Sequence, residues 1–164
     1  MRQLGLFLAA LWWGGISALS FLAVPTLFVK LGGPAVAGPV AAQLFSYQCY
    51  AGLLIGMALL LMLRRDRNRA QFRLPDDSSD AASADLIRMQ QSLTTMGFVL
   101  MGMLLAMAQE FGVAHKIVTA RATGGDLRLW HGIGTLMVLG QWLCAGAVLW
   151  RLSGRTSGSI ATAQ

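Results

Sequence analysis

Three ionisable side chains stand inside or at the edge of otherwise apolar stretches: Glu110, His115 and His131. Such groups are costly at membrane depth and by default mark ion or proton sites. Glu110 and His131 lie on consecutive apolar runs joined by a short connection, so with His115 they share one layer. A Glu110–His131 pair there would carry a proton or bind a cation. The competing reading has Glu110 at headgroup level, reaching water. Met96, Met103 and Met107 fall within about 40° of one another at 3.6 residues per turn, and Glu110 continues the stripe. Thioether and imidazole ligands suit Cu(I), so these methionines with His131 outline a copper path. Methionine is equally a flexible filler of cores, and no MxxM or CxxC pair accompanies the stripe. His115 and His131 also invite a haem reading, though both lie near the water interface. The leading expectation is a chain without a cofactor. No nucleophile elbow, HExxH or Walker loop is present, and no enzymatic activity is expected.

The elements that position these groups follow from run length. Leu4–Val29, Val40–Leu63, Met89–Gln109 and Leu129–Trp150 contain no charged residue. A helix needs about 20 mostly apolar residues to cross a hydrocarbon core. Backbone groups in lipid must bond within their own segment, so each run should be a helix. Of 164 residues, 55% are hydrophobic and 12% charged, with a mean hydropathy of +0.59. A soluble domain carries about 25% charged residues. The expected fold is all-α: a four-transmembrane-helix antiparallel bundle over residues 1–152, with spans near 4–29, 40–63, 89–115 and 129–150. Residues 64–88 are expected to form a cytoplasmic loop and 153–164 a flexible tail. The first run is too long for a signal peptide, and Pro25 disfavours cleavage, so it is expected to be retained.

Four spans place both termini and the middle connection on one side, with Arg2, Arg64, Arg65, Arg67, Arg69, Arg73, Arg88, Arg151 and Arg155. Lys30, Lys116, Arg121 and Arg128 fall on the other. This bias puts the termini in the cytoplasm, and the net charge of +6 is mainly topological. No binding motif accompanies the arginines, so the partner is the lipid bilayer and not nucleic acid. Between Lys30 and Pro39 a Gly- and Pro-rich connection forces a hairpin. Pro39 suits the first turn of the second helix, and Pro25 is placed to bend the end of the first.

Small residues mark expected helix contacts: Ala10, Gly14 and Ala18 on the first helix, Gly52 and Gly56 on the second, Gly102 and Ala106 on the third. Contact within the chain is the preferred reading, and a dimer face the alternative. Gln43, Gln48, Gln109 and Gln141 are candidates for hydrogen bonds between helices. Trp130 and Trp150, at opposite ends of the last run, suit an aromatic belt. Trp142 does not. Cys49 and Cys144 differ too much in depth for a disulfide and read as small apolar packers.

Trp13-Gly14-Gly15, Val24-Pro25-Thr26-Leu27-Phe28, Ala37-Gly38 and Leu44-Phe45 resemble the N-terminal half of the TMEM205-like (DUF4149) membrane proteins. Trp130-His131-Gly132 is similar to that family's His-Gly element. The family often has Ser two residues after His-Gly. Gly134 stands there in this chain and Thr135 follows, so a functional hydroxyl, if the resemblance extends to it, falls to Thr135. The resemblance implies an integral four-helix membrane protein and names no activity, and the expected location is the inner membrane. The expected function is a structural or accessory membrane protein, with itself or another membrane protein as partner. The alternative is a small transporter or metal-handling protein using Glu110, His131 and the methionines.

Overall fold

A computed structural model describes residues 2–71, 79–117, 119 and 124–157. Four helices are long and apolar enough to cross a membrane: Gln3–Lys30, Pro34–Asn68, Met89–Ile117 and Leu127–Gly154. They are called spans one to four. Their order is up-down-up-down, and the ring closes because span one packs on spans two and four, and span three on the same two. The chain is therefore an all-α, four-helix membrane bundle.

The first connection is tight. Gly32 adopts φ +74°, a left-handed conformation that favours glycine, and the Gly33 carbonyl accepts the Ala37 N–H at 3.0 Å to start span two. Helix begins at Pro34, not at Val40. Pro34 thus takes the first helical position expected of Pro39, and Pro39 lies inside the helix. Span one is α-helical over Arg2–Ala18 and Val24–Lys30, with a π-helical turn at Leu19–Ala23. That turn ends two residues before Pro25. A proline ring clashes with the carbonyl four residues back, and the Val24 N–H here reaches five residues back, to Leu19. The widened turn accommodates the ring without ending the helix.

Residues 64–88 are more helical than a loop. Span two continues to Gln71, and the helix containing span three begins at Ser79. Residues 72–78 of the expected loop lie outside the described residues. The last helix runs to Ser157, so the expected tail from 153 starts as helix, and 158–164 lie outside the described residues. Asp126 starts this helix: its Oδ1 accepts the Leu129 N–H at 3.0 Å, as an N-cap does.

The main apolar cluster comprises Ala9, Trp12, Ile16, Leu59, Leu63, Val99, Ala145 and Val148. All lie in the terminus-bearing half. Trp12 crosses the bundle. A Cβ on Gly52 would stand 2.9 Å from its Nε1, and one on Gly102 2.9 Å from its distal ring carbon. Two glycines on facing helices make room for one indole. Gly56 is likewise filled by Met103, and Ala106 is buried.

The small residues of span one behave differently. Ala10 and Ala18 are exposed, and nothing lies within 4 Å of a Cβ built on Gly14. The expected contact face is thus corrected by one position, to Gly5, Ala9, Trp12 and Ile16. The reason is size matching: span one supplies the large side chain, and spans two and three supply the small ones. Trp142, unexplained as a belt residue, closes the seam between spans one and four. Its Nε1–H donates to Ser17 Oγ at 2.8 Å, Ser17 donates to the Trp13 carbonyl, and its ring packs on Trp13 with centroids 5.5 Å apart.

Candidate functional site: a carboxylate on the seam of spans two and three

The half of the bundle carrying the short connections holds, among the described residues, the one carboxylate of the spans that bonds across a seam. Span three turns π-helical over Ala108–Ala114, where each N–H reaches one residue further back than in an α-helix. Gln109 and Glu110, successive residues in this turn, serve opposite seams. Gln109 Oε1 accepts from Gln141 Nε2 of span four at 2.6 Å. Glu110 meets span two: Ser46 Oγ lies 2.8 Å from its Oε1 and 3.0 Å from its Oε2. One turn inward, Cys49 Sγ–H donates to the Ala106 carbonyl at 3.3 Å.

Glu110 lies seven residues from the outer end of span three, roughly 10 Å at 1.5 Å per residue. Its carboxylate is half-buried and turned sideways to Ser46. Among the described residues no basic side chain forms an ion pair with it. The pairing expected with His131 does not form: His131 and His115 are both exposed. The backbone carbonyls of these histidines accept the hydroxyls of Thr135, at 2.9 Å, and Thr119, at 3.0 Å. Thr135 is itself exposed, its hydroxyl satisfied within its own helix. Lys116 instead stacks over Trp130 at 6.0 Å, tying spans three and four at their outer ends.

The methionines share a helix face but not an environment. Met96 and Met103 pack against the apolar cluster, whereas Met107 is exposed, as is His131. Among the described residues no three His, Cys, Asp or Glu side chains gather to hold a metal ion. Cys49 and Cys144 are free and buried. Of the glutamines, Gln109 and Gln141 join two helices, Gln48 Nε2 is buried without a partner, and Gln43 is exposed. Gln141 is 1% exposed and its Oε1 has no partner among the described residues.

Ser46 is the residue that sequence reasoning missed. Run ends gave no route to it: Ser46 stands six residues inside its apolar run and Glu110 just beyond the end of its own, an apparent depth offset of about 10 Å at 1.5 Å per residue.

Residues 7–126 match a protein family described as a domain of unknown function, DUF4149. The match covers spans one to three and stops before span four, so it does not include Trp130-His131-Gly132. No curated protein and no solved structure matches the chain.

Proposed function

Because the chain belongs to the DUF4149 family, which is defined without an activity, we propose that it is a structural or accessory protein of an inner membrane, acting by association with a second copy of itself. This reading assigns it no catalysis and no cofactor. It places both termini in the cytoplasm, on the strength of the arginine bias. One observation carries the association: the Ala10–Gly14–Ala18 stripe, suited to close helix approach, faces out of the bundle and is not used within it. Closure of the bundle centre by Trp12 between Gly52 and Gly102 supports a scaffold over a conduit.

Single cysteines at Ala10, Gly14 and Ala18 test this in native membranes by disulfide cross-linking. Leu54 serves as a lipid-facing control on span two, 74% exposed. Cross-linked dimers are expected at the three stripe positions and not at Leu54. Equal cross-linking at all four positions, or none, would refute the association. The alternative of a small transporter or metal-handling protein rests on Glu110 alone among its proposed residues, since Met96 and Met103 are committed to packing.

A further inference from the structure

We propose that Glu110 and Ser46 form a binding site for a small monovalent metal cation, reached from the face that carries the short connections. The inference is independent of the scaffold reading. Three oxygen atoms converge: both carboxylate oxygens of Glu110 lie within 3.0 Å of Ser46 Oγ. Ser46 has one proton, which it can donate to only one of those oxygens at a time. An ionised carboxylate offers about four acceptor sites. The chain therefore leaves most of the acceptor capacity of this group unused, inside an apolar span where that is expensive. The hydroxyl also keeps lone pairs free for coordination.

The donor set selects the ligand. Carboxylate and hydroxyl oxygens are hard ligands and suit hard cations, not Cu(I). One negative charge, with no ion pair to a basic side chain among the described residues, is neutralised by one positive charge. A divalent ion would leave an excess charge in the same apolar setting. The π-helical turn at Ala108–Ala114 adds backbone that departs from α-helical bonding beside the carboxylate. Single π-helical turns inside α-helices occur frequently at functional sites. Trp12, wedged between Gly52 and Gly102 deeper in the bundle, closes the other approach. The site binds from one side and is not a pore.

The test is thermal unfolding of the full chain in detergent, titrated with LiCl, NaCl or KCl. Ionic strength is held constant with N-methylglucamine chloride. Wild type is expected to show a saturable rise in Tm with at least one of the three cations. Glu110→Gln keeps a hydrogen-bonding partner for Ser46 but removes the charge, and the rise should vanish. Ser46→Ala should weaken the titration midpoint by about tenfold, the loss of one charge-assisted contact worth roughly 1.4 kcal/mol. Glu110→Asp keeps the charge and withdraws it by a methylene, so its midpoint should also weaken, which guards against a Gln variant that does not fold. No response of wild type to any cation overturns the proposal. So does a response that Glu110→Gln or Glu110→Asp leaves unchanged.

Discussion

In the half of the bundle that holds the chain termini, Trp12, Ile16, Leu59, Leu63 and Val99 interlock as one apolar cluster. In the opposite half no residue of Leu19–Lys30 is buried, and the buried positions there are mostly small or polar: Ala37, Ala41, Cys49, Ala106 and Gln141. Both π-helical turns lie in this second half, one on span one and one on span three. Lipid is as apolar as leucine, so helices in a bilayer associate through close packing and interhelical hydrogen bonds, not through water exclusion. The two halves weight these two means differently. The first is held chiefly by a large ring seated on glycines. The second, polar half adds side-chain pairs, Ser46–Glu110 and Gln109–Gln141, whose span-three members stand on a widened turn.

The strongest test of that division is Trp12→Ala. It removes a ring that is 3% exposed and touches two neighbouring helices, and emptying such a site costs about 3–5 kcal/mol. Phe21→Ala, on the widened turn of span one and 69% exposed, should cost under about 1 kcal/mol although its ring meets Trp142 edge-on. Denaturant unfolding of both variants in the same detergent compares the halves directly. Equal losses would erase the distinction. Next in size is a pair of glycines. Gly102→Leu should cost about 1–3 kcal/mol, because a Cβ there already stands 2.9 Å from the Trp12 ring. Gly14→Leu, measured on the monomeric chain, should stay within about 0.5 kcal/mol, since open space surrounds it there. A Gly14→Leu loss as large as that of Gly102→Leu would restore the stripe on span one to the interior.

These glycines also show what could be read beforehand. Run length decided the four helices and their antiparallel order, because lipid leaves a long uncharged segment almost no other structure. Rotation about each helix axis was harder. Small residues every fourth position fit a lipid-facing stripe as well as a buried one, so Ala10, Gly14 and Ala18 carried no phase information. Trp12 did, but only in combination with Gly52 and Gly102 on other helices. Glu110 was legible as a charge beyond the end of an apolar run. Its azimuth was not, because extrapolating 100° per residue past Met107 fails once the helix widens at Ala108. Gln109 and Glu110, as successive residues, face two different seams, and both histidines lie exposed. Asp126, the N-cap of the last helix, was not anticipated, although its type and its position before an apolar run carried the signal.

The smallest expected effect bears on how much the polar half is worth. Gln109 and Gln141 meet at 2.6 Å across the seam of spans three and four. A low-dielectric setting suggests a strong bond, yet interhelical hydrogen bonds in membranes average about 0.6 kcal/mol, because the unfolded helices also find partners. A double-mutant cycle with Gln109→Leu and Gln141→Leu should therefore give a coupling of about 0.6 kcal/mol. The two single variants should differ. Gln109→Leu strands the whole Gln141 amide, which is 1% exposed and whose Oε1 already lacks a partner. Gln141→Leu removes that unpaired oxygen together with the bond and leaves only the half-buried Gln109 amide to be satisfied. Gln109→Leu should thus be the more destabilising of the two, even though it alters the more exposed residue. Measured unfolding free energies in the reverse order would mean that Gln141 Oε1 finds a donor in the membrane-embedded protein, and the polar half would then be more fully bonded than its side-chain pairs indicate.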